Sequence, residues 1–364
     1  YYTIDGFKSS AREFYGDTSP FAVSSYDNPF VDRLHTTVGQ GQQWFIANRK
    51  QVSRKQVNSA GKYNCLKLDL LQADGRGFRS NGDQPIGILD VESFADEDGH
   101  EDISFKDSFG QLLLTRKILD GNNYADTYFI YDIRGNLTYV LPPEASKNLT
   151  QQGCQWLESD DNVKNYVYYY HYDDKNRCVE KKLPGCGPVY YVYDKTGNLV
   201  FSQNGNQRER NKWSFQILDQ FGRLASSGET ISGNTLSQMT DAVKYASPRA
   251  QLFSRSWVND AGVLAGIAPS DINETYFYDD YSYLNAQPDS LKYQFVEGYD
   301  AKYTSSADPC HIRGKMTGKA TRAFDCDHTM LLQSIYYDFH GNVIQTHEQN
   351  LMGGYEHYYY HLTF

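Results

Sequence analysis

Long apolar runs are missing from this sequence. No stretch of its 364 residues approaches the roughly 18 consecutive apolar residues of a membrane helix, although 40% of the chain is apolar. A helical membrane span is therefore not expected. Runs of Lys or Arg are missing too, and 35 basic against 45 acidic residues leave a net charge of −10. Such a chain repels a phosphate backbone, so nucleic acid is not an expected partner. Cysteine is scarce: Cys65, Cys154, Cys178, Cys186, Cys310 and Cys326 are too few and too scattered for a disulfide scaffold, which favours isolated thiols over bridges. There is no Gly-x-Ser-x-Gly elbow, phosphate loop, dinucleotide glycine pattern or His-Glu-x-x-His helix. That argues against a standard enzyme, and no cofactor is expected. No basic and apolar leader precedes Tyr1, and Phe364 ends the strand-like run YEHYYYHLTF, so the chain reads as a piece of something longer.

What is abundant is tyrosine. Its 31 copies outnumber leucine, and 29 glycines accompany them. This balance favours β-structure with many tight turns, in a chain long enough to bury a core.

A repeat organises the chain. Residues 131–137 read YDIRGNL, 193–199 YDKTGNL and 337–343 YDFHGNV, with looser copies LDQFGRL at 218–224, KDSFGQL at 106–112 and YDDKNRC at 172–178. Asp followed three residues later by Gly is the signature of a type I turn closed by a left-handed residue. Asn176 stands where the other copies have Gly, and Asn is the one substitution that conformation readily accepts. The predicted turn pairs are Asp107 and Gly110, Asp132 and Gly135, Asp173 and Asn176, Asp194 and Gly197, Asp219 and Gly222, Asp338 and Gly341. β-prone runs such as TYFIYD and VYYVYD lead into the turns and GNLTYVLP and GNLVFS lead out, so one repeat is one hairpin. The steps between anchors are 25, 41, 21, 25 and 119, and the two long ones leave room for degenerate copies. Strand alternation puts Tyr166, Tyr168, Tyr170 and Tyr172 on one face and Val167, Tyr169 and His171 on the other. Neither face is plainly polar, which suits a covered or enclosed surface still wet at the hydroxyls.

These tyrosine-aspartate pairs with their following glycines, and the segment KKLPGCGPVYYVYDKTGNLVFSQNGNQ at 181–207, resemble the RHS or YD-repeat family. More narrowly they look like the large YD-repeat proteins of Bacteroidota. The match is densest from Asp96 to Gly228, returns at 336–355, and includes GKMTGKATRA at 314–323. The resemblance implies an all-β fold of consecutive β-hairpin (YD) repeats forming a curved ribbon or part of a hollow β-shell. It further implies a secreted or cell-surface module that encloses a toxin-like C-terminal polypeptide or serves as a scaffold. The implied partners are the remainder of a longer RHS protein or that enclosed polypeptide. Separately, Tyr358 to Tyr360 and the pair Tyr1 and Tyr2 are aromatic and nearly uncharged, without the Lys or Pro that protects a strand edge, so self-association through edge strands is expected. Relatives end in a self-cleaving segment, which nothing after Tyr355 matches.

Three regions follow: 1–95, a divergent N-terminal β region; 96–229, clear YD/RHS hairpin repeats; and 230–364, degenerate repeats with an inserted polar segment containing a short helix or loop and ending in a YD repeat. Other chemistry is weaker. Asp96, Asp98 and Asp102 alternate like calcium ligands, but Gly99 is misplaced and no bidentate Glu closes the loop, so a hairpin turn is favoured. Cys310, His311, Cys326 and His328 are soft ligands, yet the first two are adjacent and serve one tetrahedral ion poorly. Asp279 and Asp280 beside Tyr278 and Tyr281 provide the alternative reading, a carbohydrate-binding protein or glycoside hydrolase, against another degenerate YD turn. His171 and His340 are expected to be packed or solvated. Sequons at Asn136, Asn148 and Asn273 matter only in a glycosylating compartment.

Overall fold

In a computed structural model the chain is described at residues 4–28, 31–71, 76–121, 123–147, 154–244, 249–250, 257–258, 267–287, 289–297, 312–323 and 329–361. Strands hold 46% of the described residues and helices 18%, so the fold is mostly β. Two compact units, Tyr1–Gly187 and Pro188–Phe364, divide it within the clear repeats.

The first unit is built on ten strands: Val23–Asn28, Val31–Val38, Gln51–Val57, Asp90–Ala95, Glu101–Lys106, Leu112–Asp120, Asn123–Tyr131, Leu137–Leu141, Tyr168–Tyr172 and Cys178–Lys182. Each pairs antiparallel with the one before it in this series. The second unit repeats the scheme with Val189–Tyr193, Leu199–Gln203, Lys212–Asp219, Leu224–Ile231, Ile272–Tyr278, Met316–Arg322, Met330–Tyr337, Val343–Gln349 and Tyr355–Tyr359. Sequential hairpins thus become spatial neighbours, as short turns between β-prone runs require.

Register explains the core. Val91 faces Phe105, Phe105 faces Leu114, Leu114 faces Tyr128 and Tyr128 faces Leu141, all buried, so one apolar row crosses five strands. What covers this row is the chain's own insertions. A small sheet of Leu66–Leu70, Gly77–Asp83 and Gln155–Leu157 lies on it. Phe78 there packs on Tyr139, ring centroids 5.1 Å apart, and stacks on Trp156 at 5.5 Å. In the second unit, helix Leu236–Val243 brings Met239 and Val243 onto Val192, Phe201, Trp213 and Phe215, and Thr235 caps it by a reciprocal exchange with Gln238.

The 41-residue step of the sequence repeat is therefore not a missing hairpin. Residues 142–167 spend it on helix Pro143–Ser146, strand Gln155–Leu157 and helix Asp161–Tyr166. Tyr166 ends that helix and does not extend the tyrosine row, which begins at Tyr168. The N-terminal region, read as β, opens with an α-helix, Ile4–Tyr15. Asp5 in its first turn and Arg12 in its last suit the helix dipole, and Phe7, Ala11 and Phe14 recur at helical spacing.

The turns carry the expected backbone. φ is 80° at Gly110, 84° at Gly135, 93° at Gly197, 82° at Gly222 and 90° at Gly341, with Asn176 at 60°. Beside each of these turns the strand register slips by one residue, for example between His171 and Tyr172 and between Tyr336 and Tyr337, which is the bulge a left-handed residue creates. Nothing lies within 4 Å of a Cβ added at Gly222, so substitution there tests conformation alone. Gly222→Val should cost about 1–3 kcal/mol in urea unfolding and Gly222→Asn clearly less; equal losses would refute a left-handed turn position.

Candidate functional site

The most frequent polar site is the turn itself. Asp132 Oδ1 accepts from the backbone N–H of Arg134 at 2.9 Å and of Asn136 at 2.8 Å, while Gly135 N–H donates to the Asp132 carbonyl at 3.0 Å. The same carboxylate grip recurs at Asp107, Asp173, Asp194 and Asp219. At Asp338 it holds the N–H of Asn342 at 2.7 Å. Burial opposes ionisation of Asp173 and Asp338, yet the amides bound to each hold both carboxyls below the usual range.

Two further copies stand outside the six predicted turn pairs, and one of them is the hairpin turn favoured at Asp96. Asp96 Oδ1 accepts from Asp98 and His100 N–H at 3.0 and 2.8 Å, with Gly99 at φ 87°, so the cation candidate is a turn of this same kind. Asp98 pairs with Arg49 at 3.0 Å and Asp102 faces Lys117 at 3.9 Å, and the three carboxylates do not converge. Among the described residues no group of three or more His, Cys, Asp or Glu is placed to hold a metal. Asn350 makes the other copy, accepting from Met352 and Gly354 N–H at 3.1 and 2.8 Å. The Asn350 copy was not read from the sequence, because Asn stands where the other copies have Asp.

That Tyr has its own task. Tyr131 donates to the Leu112 carbonyl at 3.1 Å, Tyr172 to Leu137 at 3.0 Å, Tyr278 to Leu224 at 3.0 Å and Tyr337 to Met316 at 2.7 Å. In every case the acceptor lies two residues after the left-handed glycine of the preceding hairpin, at Gly110, Gly135, Gly222 and Gly314. The phenol braces one hairpin to the one before it, and burial pushes all four hydroxyl pKa values up.

Side chains join neighbouring turns as well. Asn136 Nδ2 donates to Asn176 Oδ1 at 3.1 Å and Arg134 to the Asp173 carbonyl at 3.1 Å. Arg223 binds Asp219 through Nε at 2.7 Å and grips both oxygens of Asp279 at 3.0 and 2.6 Å. Asp279 also accepts from Gly314 N–H at 2.5 Å, and its own N–H donates to the Lys315 carbonyl at 3.2 Å. It is thus the first half of a turn split by an insertion before Gly314. Asp280 accepts from Ser282 N–H at 2.7 Å, and Tyr281 stacks on Tyr336 at 4.5 Å. Asp279 and Asp280, the pair considered for sugar chemistry, are therefore held in turn and brace contacts.

A titratable cluster lies in the first unit. Glu158 accepts from Tyr139 at 2.7 Å and His171 at 2.5 Å, and Arg76 bridges it to Glu180 at 3.0 and 3.2 Å. Burial raises the Glu158 carboxyl, but His171, Tyr139 and Arg76 outweigh that and hold it below its ordinary value. Lys182 donates to the carbonyls of Val163, Lys164 and Leu183 at the end of helix Asp161–Tyr166. The cluster ties the covering insertion to the strands Leu137–Leu141, Tyr168–Tyr172 and Cys178–Lys182. Burial pushes the Cys65 thiol up to about 12, far from a reactive thiolate. Cys310, His311, Cys326 and His328, along with Tyr1, Tyr2 and Asn148, lie outside the described residues. Asn136 is accessible to little else, since its amide already serves Asp132 and Asn176.

No helix among the described residues is long and apolar enough to cross a membrane. The fold and its sites define a mostly β protein of consecutive antiparallel hairpins, in which the repeat turns are closed by a side-chain oxygen and four of them are braced to the hairpin before by a Tyr hydroxyl. No protein-family model and no curated protein matches the chain. Among solved structures it is similar to a crystal structure of TcdB2-TccC3 without its hypervariable C-terminal region, at 12% identity and a TM-score of 0.33, over 92% of this chain and 14% of that one. It is also similar to TcdB2-TccC3-TEV, at 13% identity and a TM-score of 0.30, over 92% and 16%. The chain spans only 14% and 16% of the lengths of these two.

Two outcomes follow from these sites. Tyr172→Phe and Tyr278→Phe should each lower unfolding free energy by about 0.5–1.5 kcal/mol, whereas no change in either would remove the brace. His347 is buried, and burial followed by the neighbouring His357 charge lowers its pKa from 6.5 to about 4. Below pH 6.5 the unfolded chain takes up a proton that the folded one refuses until about 4, so stability is lost as pH falls through that window. Urea midpoints between pH 6.5 and 5 should fall less steeply in His347→Gln than in the parent.

Proposed function

We propose that the chain is a non-enzymatic structural and interaction module: a segment of an RHS-type β-shell that encloses or presents an associated, toxin-like polypeptide, or that acts as a scaffold on a secreted or surface protein. The observation that carries this reading is the use made of the polar side chains. The turn carboxylates are spread one per hairpin and each is occupied by its own turn's amides. The Tyr hydroxyls that precede them are occupied by the neighbouring hairpin. Such a scheme extends to any number of hairpins, which suits a long wall more than a catalytic centre. The family resemblance of the Tyr-Asp turns supports the shell and its cargo. No observation favours the carbohydrate reading, whose Asp279 is gripped by Arg223 and Gly314.

The experiment has two arms. The purified chain should hydrolyse no chromogenic sugar, ester or peptide substrate; turnover lost in Asp279→Asn would overturn the non-enzymatic reading. Co-expressed with the polypeptide encoded downstream in its reading frame, it should slow tryptic digestion of that polypeptide at least tenfold. Digestion at the rate of the free polypeptide would reject the enclosure.

A further inference from the structure

One histidine pair lies outside every turn and brace described above. His347, fully buried on strand Val343–Gln349, sits directly across the ladder from His357, exposed on strand Tyr355–Tyr359. Their Nδ1 atoms approach to 2.6 Å.

The hydrogen-bond pattern decides which nitrogen of His347 has the lone pair. Gln345 Nε2 donates to the Val296 carbonyl at 2.9 Å, and Val296 N–H donates to Gln345 Oε1 at 3.0 Å, so the amide cannot be turned over. Its oxygen lies 3.1 Å from His347 Nε2, which must therefore carry the proton and donate. In the neutral ring Nδ1 is then left as an acceptor aimed at His357. Nδ1 of His357 fills that position with a proton, and its outer ring edge faces solvent.

This is how a metal-binding imidazole is ordinarily prepared: one ring nitrogen held by a buried acceptor, the other presenting its lone pair. We propose that His347 and His357 form a two-imidazole chelate for one borderline divalent ion, of the zinc or copper(II) class, bound through both Nδ1 atoms. The ion replaces the single proton between the rings. That proton leaves to solvent or moves to Nε2 of His357, and water fills the remaining coordination positions. At about 2.0–2.1 Å per Zn–N bond and a tetrahedral angle, the two nitrogens need to stand about 3.3 Å apart. The required opening is within a small rotation of the exposed His357 ring, while buried His347 stays in place. Imidazole nitrogen suits this class of ion, whereas calcium and magnesium prefer oxygen. Gln345 acts as a positioning residue. An ion here links the last strand to its neighbour across the ladder.

The test is calorimetric titration of the metal-free chain with zinc chloride and with copper(II) chloride, followed by NMR of the imidazole nitrogens. One ion per chain should bind with both Nδ1 resonances shifted. His357→Ala, at an exposed position that leaves the fold intact by thermal melting, should lose that event or weaken it at least tenfold. Gln345→Ala should weaken it with both histidines still present. Absence of any binding to the parent chain would overturn the proposal. So would binding of equal affinity and stoichiometry in His357→Ala, which would place the ion on other histidines or cysteines.

Discussion

The repeat hairpins of this protein depend on one side-chain oxygen, usually a carboxylate, accepting backbone amides inside its own turn. At Asp132 the acceptor reaches the N–H groups of Arg134 and Asn136, amides that the bulge withdraws from the ladder. A buried amide without a partner is costly, so the carboxylate is what allows the chain to reverse through a left-handed residue and start the next strand in register. Asn350 shows that a neutral side-chain oxygen serves as well. The requirement is for the acceptor, not the charge.

From that turn the remaining order follows. The slipped register leaves a carbonyl two residues past the glycine, and the Tyr of the next repeat donates to it, as Tyr172 does to Leu137. Charged side chains then link turn to turn, most fully at Arg223, which holds Asp219 and Asp279 together and lies over the Tyr278 ring at 4.1 Å. The Tyr-Asp dipeptide is thus two devices side by side: an internal clasp and an external brace. Repeating both gives a sheet that grows by addition of hairpins without new chemistry.

A long sheet must still cover an apolar face, and here the insertions do so. Phe78 and Trp156 from one small sheet, and Met239 and Val243 from one helix, cover rows that hairpins alone would leave in water. The Glu158, His171, Arg76 and Glu180 network fastens the first of these covers to its strands, with both carboxylates largely buried and Arg76 half exposed. Asp279 and Glu158, acidic residues that look available in a list of residues, are in space held by Arg223 and Gly314 and by Tyr139, His171 and Arg76.

What the sequence by itself determined is local. Asp and Gly three residues apart, or Asn176 in place of Gly, specify the turns because all the bonds involved run within five residues. The alternating β-prone runs specify the strands on either side, and hence a mostly β meander. Beyond five residues the same reasoning failed. Residues 142–167 look like room for another hairpin and instead form a cover, because their apolar residues, such as Val163, are selected by a face they meet only after folding. Asp279 and Gly314 are one turn separated by an insertion, and no spacing rule joins them. His347 and His357 stand in different strands, and only the register across the ladder places their rings together. Turn chemistry is settled by neighbours along the chain, whereas burial, bracing and convergence of side chains depend on which strands come to lie side by side, and that was decided by the tertiary structure alone.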